Sequence, residues 1–278
     1  MNIVEKITQE LELKSWQTEA VIRLIDEGNT IPFIARYRKE ATGAMHDDVL
    51  RAFDERLRYL RNLEERKETI LASIEEQGKL TAALRKEIEE AETAVKLEDI
   101  YRPYKPKRRT RAMIARERGL EPLALYILSG QGKPAVPVEA EKYVDAEREV
   151  PDVKAAIQGA EDIMAETMSD SAALRAWIRR KSVQEGCIVS AARTKQQAAE
   201  HSVYDNYYEY SEPIRKIPGH RVLALNRGEK EKILSIRLEV PEEEILRFMA
   251  QKMGADQHPA TAAYIREACA DAYKRLIA

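Results

Sequence analysis

The sequence predicts a mainly α protein, a multi-helix array with a helix-turn-helix-like element and at most one short β-hairpin or small strand pair. The 278 residues are rich in Glu, Lys, Arg, Ala and Leu, which lose least on entering a helix, and 34% are charged. Breakers and phenylalanine are scarce, with 11 Gly, 11 Pro and 3 Phe. Apolar residues recur at three and four along most of the chain, whereas alternation at two is confined to one stretch. This length corresponds to one large or two ordinary domains and can bury a core without staples.

Val4, Ile7 and Leu11, then Ala20, Val21, Leu24 and Ile25, mark two short amphipathic helices, the second ending at Gly28. Between His46 and Gln77, Leu50, Phe53, Leu57, Leu60, Leu63, Ile70, Leu71 and Ile74 form one stripe, so a long helix with one buried face is expected. Gly78 stops it and Thr81 caps a shorter helix through Leu84, Ile88 and Ala91. Helix, glycine turn, helix is the outline of a helix-turn-helix. The second helix, however, carries four glutamates against one Arg and one Lys, which argues against reading bases across a phosphate wall.

Residues 129–138, "SGQGKPAVPV", collect Gly and Pro without a period and are the candidate linker, giving regions 1–128 and 139–278. Beyond it Asp152 caps a helix carrying Val153, Ile157, Ala160, Met164 and Met168. "HRVLALNR" reads as helical, with a hairpin as the alternative. Leu234, Ile236, Leu238 and Val240 alternate with polar residues, so a strand is expected near 233–240, with Ile188 and Val189 as a weak hint of its partner. The final periodic stretch has no capping Gly or Pro, so the chain is expected to stop in or just after a helix.

The formal net charge is −2, which argues against a histone-like binder, so any attraction to nucleic acid must come from local clustering. Cys187 and Cys269 lie far apart, away from any metal-ligand spacing, and read as reduced, packed thiols of a cytoplasmic protein. The acidic N-terminus is no signal peptide. "LALYIL", residues 123–128, falls far short of the roughly 20 apolar residues of a membrane span, so no membrane partner is expected. No phosphate-binding glycine loop, nucleophile elbow, dinucleotide fingerprint or zinc-protease helix is present. His46, His201, His220 and His258 are isolated from one another. No enzyme activity, catalytic residue, metal or cofactor is expected.

One stretch differs in kind. From 102 to 118, Arg102, Lys105, Lys107, Arg108, Arg109, Arg111, Arg116 and Arg118 place eight positive charges in seventeen residues against Glu117 alone. Pro103 and Pro106 favour an extended backbone, and Tyr101 and Tyr104 offer rings for stacking, as in grips on single-stranded nucleic acid. The opposing reading pairs these cations with the chain's many acids. A second cluster, "IPFIARYRKEATG", sets Arg36, Arg38 and Lys39 beside Tyr37, over Ile31, Phe33 and Ile34; the plainer reading is a helix end favouring cations. "YDNYYEY", residues 204–210, reads as packing or a partner surface, since Asp205 and Glu209 would repel phosphate.

Three segments, "IPFIARYRKEATG", "LEDIYRPYKPKRRTRAMIARERGLEPLA" and "YSEPIRKIPGHRVLALNRGEKE", together with "LRYLRNLEERKETILASIEEQGKLT", resemble the N-terminal region of the bacterial Tex family of transcription accessory proteins, similar in architecture to a eukaryotic transcript elongation factor. The resemblance implies a cytoplasmic nucleic-acid-binding protein with a helical N-terminal part. It also implies continuation into a ribonuclease-H-like domain inactive as a nuclease, helix-hairpin-helix repeats and an OB-fold RNA-binding module, so the chain reads as truncated before them. No catalytic residue carries over. The expected function is a binding module, a monomer contacting RNA or single-stranded nucleic acid through Arg102, Lys105, Lys107, Arg108, Arg109 and Arg111 with Tyr101 and Tyr104 stacking, supported by Arg36, Arg38 and Lys39. The alternative is a scaffold docking onto downstream domains, RNA polymerase or ribosome-associated machinery.

Overall fold

The computed structural model describes residues 2–106, 108–130, 132–194 and 201–278. The chain divides into two compact units, Met1–Lys105 and Pro106–Ala278.

The first unit contains α1 (Ile3–Glu10), α2 (Ser15–Asp26), α3 (Ile31–Tyr37), the single turn α4 (Lys39–Thr42), α5 (Asp47–Glu76), α6 (Ala82–Glu89) and α7 (Ala94–Tyr101). The predicted stripe makes α5 the wall of two cores. Leu50, Phe53, Leu57 and Leu60 meet Ile7, Val21, Leu24 and Ile34 along its first half. Leu63, Ile70 and Ile74 meet Leu84, Ile88, Leu97 and Ile100 along its second. Gly78, at φ 67°, turns the chain where a side chain would be strained. The Thr81 hydroxyl then accepts from the Leu84 amide at 3.2 Å, capping α6 as expected. Lys67 lies within the second core, its ammonium satisfied by Glu64 Oε1 and the Glu89 carbonyl, each at 2.8 Å. The α5–turn–α6 pair has the order of a helix-turn-helix, but α6 exposes Glu87 and Glu89 and pairs Lys86 with Glu90, which suits it poorly to a groove of phosphates.

The second unit begins with α8 (Arg111–Glu117), α9 (Glu121–Ser129), α10 (Val136–Ala140), α11 (Val153–Ser169) and α12 (Ala172–Glu185). Here the structure corrects the boundary expected at 129–138. Ala112, Ala115, Leu120, Leu123 and Ile127 before that stretch, Val136 within it and Ala140 after it enter the same core around α11. Its Gly and Pro mark a loop within a unit. Asp152 Oδ1 accepts from the Ala155 amide at 2.7 Å, and Ala156, Ala160, Met164 and Met168 are buried behind it. At Gly159 the turn before α9 comes so near that a Cβ would lie 2.3 Å from Leu120 Cδ1.

After α12 come β1 (Cys187–Ala192), β2 (Glu209–Pro213), α13 (Gly219–Lys230), β3 (Leu234–Glu239), α14 (Glu242–Lys252), α15 (Ala262–Asp271) and a closing π-helical turn, Ala272–Ile277. The strands form an antiparallel sheet in the order β2-β1-β3, with Cys187 opposite both Pro213 and Glu239. The strand expected near 233–240 is β3, and Ile188 and Val189 do lie on its partner. β2 went unforeseen because Glu209–Pro213 is an edge strand of mostly polar residues with no alternation to betray it. The tyrosines of 204–210 are packing: Tyr204 is buried with Leu225 and Leu234, and Tyr207, Tyr208 and Tyr210 close around them. Among the described residues, no helix is long and apolar enough to cross a membrane.

Candidate nucleic-acid interface

The basic stretch is neither extended nor free over most of its length. Tyr101 ends α7 inside the second core of the first unit at 7% exposure, its hydroxyl 3.1 Å from Ser73 Oγ and its ring beneath the Arg66 guanidinium. A ring held this way cannot stack on a base, which corrects its assignment. Arg102–Tyr104 form a 3₁₀ turn instead of an extended segment, because Pro103 occupies a helix-start position its fixed φ favours. Gln77 Nε2 donates to the Tyr104 carbonyl at 2.9 Å, and Tyr104 packs partly buried against the core. Arg102 is half-buried and engaged within the protein. Lys105 is exposed, and its backbone is extended.

In the second unit, Lys107 lies outside the described residues. Arg108 is exposed, whereas Arg109 Nη2 meets Glu117 Oε2 at 2.7 Å. Thr110 caps α8 by accepting from the Met113 amide and also donates to Glu166 Oε1 at 2.9 Å, tying the helix start to α11. Arg116 Nη1 completes that carboxylate at 2.7 Å, and Arg118 Nη2 takes Glu149 Oε2 at 2.6 Å. Arg111 is exposed and faces acids of its own unit. Burial pushes the Asp162 carboxyl up, and Arg275 and Arg111 oppose that; the Arg275 hydrogen bond holds Asp271 down, with Arg111 contributing. Most cations of the 109–118 segment are thus answered internally, the outcome least favourable to nucleic acid.

That same acid group contains a carboxyl shifted well above its ordinary range. Glu161, on α11 at 7% exposure, has an Oε1 without a hydrogen-bond partner. Burial, then the charge and hydrogen bond of Glu267, with Asp162 and Asp271 behind, push its pKa up to about 7. Burial of Glu161 and the neighbouring carboxylates both disfavour its charged form, which explains the direction.

The cluster at 31–43 behaves oppositely. Ile34 is fully buried against α5 and α3 presents its polar end outward. Arg36, Arg38 and Lys39 are all exposed, and among the described residues none meets a carboxylate. The two arginines sit instead with rings: Arg38 Cζ lies 5.2 Å from the Phe33 centroid, Arg36 Cζ 6.0 Å from that of Tyr37, and the two rings 5.2 Å apart. Tyr37 is 60% exposed. Sequence reasoning missed a further ring here. Trp16 at the start of α2 is 49% exposed and lies over Gly43, where a Cβ would be 2.9 Å from its Cη2. Gln17 Nε2 fixes the neighbourhood by donating to the Thr42 carbonyl at 3.0 Å. Nothing local in the sequence announces it, because its position depends on Gly43, 27 residues on.

Elsewhere, His201 pairs with Asp205 at 2.8 Å, which raises its pKa. Cys269 is buried, its thiol pushed up to about 12. Among the described residues, no group of three or more His, Cys, Asp or Glu converges as metal ligands would.

Fold and surface together define a mainly helical protein with a local exposed patch of cations, Arg36, Arg38 and Lys39, beside the Tyr37 ring. The sequence profile of the Tex-like protein N-terminal domain matches residues 1–75, and that of the Tex central region-like domain matches residues 133–277. The chain belongs to the Tex family. It is 43% identical over 273 residues to the uncharacterized protein YdcI of Bacillus subtilis, covering 98% of this chain and 38% of that one. It is 46% identical over 238 residues to the transcriptional accessory protein Tex of Neisseria gonorrhoeae, covering 86% and 31%. It is 28% identical over 288 positions to the S1 RNA-binding domain-containing protein 1 of Pongo abelii, covering 99% and 29%. The chain thus spans about a third of the length of these relatives. The second profile begins inside the stretch read as a linker, whereas the packing boundary lies at Lys105–Pro106.

Proposed function

We propose that the chain is the N-terminal helical module of a cytoplasmic transcription accessory protein and that it grips nucleic-acid backbone without reading sequence. A relative named for transcription and one named for RNA binding support the process and favour RNA. The observation that carries the reading is the exposed trio Arg36, Arg38 and Lys39, without a carboxylate partner among the described residues. Exposed Lys105 and Arg108 add lesser contacts. The module acts as a monomer, needs no cofactor and performs no chemistry. Three phosphate contacts on a single strand give log K against log salt a slope of about −2. Replacing the trio by Ala should flatten that slope by about 2, measured by anisotropy of a labelled RNA; an unchanged slope refutes the reading. The internal pairing of Arg109, Arg116 and Arg118 favours a second role for α8, as part of a scaffold docking onto further domains or polymerase.

A further inference from the structure

Two exposed aromatic side chains accompany the cationic trio, Tyr37 between Arg36 and Arg38 in the chain and Trp16 against Gly43, four residues beyond Lys39, and the chemistry of rings with cations is narrower than phosphate binding. Trp16 is half out in solvent although its ring is large enough to bury, and it is held in place from below. Gly43, at φ 67°, has the left-handed backbone that ends α4, and the absence of a Cβ lets the indole lie against it. The Gln17 bond to Thr42 and the buried Thr42 hydroxyl, which donates to the Arg38 carbonyl at 3.2 Å, connect that support to the cations. Tyr37 is exposed beside Phe33, with Arg36 and Arg38 over the two rings. Rings presented on a rigid base next to unanswered cations match a polymer with alternating phosphates and accessible π-faces. A duplex hides those faces in its stack; a single strand offers them.

We infer that Trp16 and Tyr37 are base-stacking residues and that this surface takes single-stranded nucleic acid in preference to duplex, with Arg36, Arg38 and Lys39 on the phosphates. The inference rests on the backbone-gripping reading and adds the ligand's form.

The chain has two tryptophans, and the other, Trp177, is stacked on Phe248 at 3.7 Å. Trp177→Phe keeps an aromatic stack and leaves Trp16 as the one indole. Titrating this variant with oligouridylate should quench Trp16 emission saturably, and a duplex of equal length should bind roughly tenfold more weakly. In the otherwise unaltered chain, Trp16→Ala should lower affinity for labelled oligouridylate roughly tenfold, and Tyr37→Ala somewhat less, with the salt slope unchanged. This second measurement does not depend on the Trp177 variant folding. Inorganic polyphosphate competing as well as oligouridylate, with no quenching and no effect of Trp16→Ala, overturns stacking while the cationic grip survives. Binding by neither polymer overturns both and leaves the patch to a protein partner.

Discussion

The two basic stretches of this chain have opposite fates. Residues 109–118 hold the denser charge in sequence, yet Arg109, Arg116 and Arg118 end on Glu117, Glu166 and Glu149. Residues 36–39 hold fewer cations, none of which meets an acid among the described residues. A solvent-exposed cation raises local potential only while it is unanswered, so the weaker cluster in sequence is the stronger one in space. The difference lies in what stands behind each. Behind α8 is α11, which carries Glu161, Asp162 and Glu166 toward a shared core, whereas behind α3 is the apolar stripe of α5.

The sharpest break between the two comes from Arg116→Ala against Arg36→Ala. The first leaves the buried Glu166 carboxylate without its guanidinium and should lower the stability of the chain by about 2 kcal/mol in urea unfolding, discounted because Arg116 is itself a third exposed. The second should change stability by no more than about 0.5 kcal/mol. RNA affinity should rank the other way. Equal stability losses would erase the distinction.

A somewhat smaller effect is expected from pH. The folded pKa of Glu161, about 7, lies above its unfolded value, so its contribution is fully present below the ordinary carboxylate range and is lost as pH rises through neutrality. In the first unit, Glu10 and Asp26 are held down by hydrogen bonds from Arg56 and Arg61, so that contribution is lost as pH falls. Glu161→Gln should remove much of the stability decline between pH 5 and pH 8 and exceed the parent at pH 8 by about 1–2 kcal/mol, followed by thermal melts. A decline that persists unaltered in the variant contradicts the assignment.

Smallest of all is Glu117→Gln. The Arg109–Glu117 pair is exposed on both sides, so its loss should change stability by well under about 1 kcal/mol. Freeing Arg109 should steepen the RNA salt slope by at most about 0.7, one further phosphate contact. A larger gain would mean that 109–118 is closer to nucleic acid than its pairing indicates.

Much of this was legible beforehand because it is local. The α5 stripe, the Thr81 and Asp152 caps, the Gly28 and Gly78 turns and the alternation of β3 each involve residues a few positions apart. What sequence could not yield depends on distant partners. Arg116 meets Glu166 fifty residues on, and nothing near Arg116 announces it. Tyr101 looked like a free ring beside prolines, and only Ser73 and Arg66 on α5 reveal it as a core residue. Trp16 reads as an ordinary amphipathic position until Gly43 is placed beneath it.

The 30-residue α5 runs unbroken from the apolar support of α3 to the Gln77 contact with Tyr104, a rod of about 45 Å at 1.5 Å per residue. Even from Leu60, the last α5 residue in the core that supports α3, Gln77 lies about 25 Å along the helix, roughly three screening distances of about 8 Å in physiological salt, so the fields of the 36–39 trio and of Lys105 overlap little. An oligonucleotide of a few residues samples one end alone, and only a longer polymer can touch both. Ligand length, measured against this built-in ruler, sets how much of the first unit any binding experiment reports.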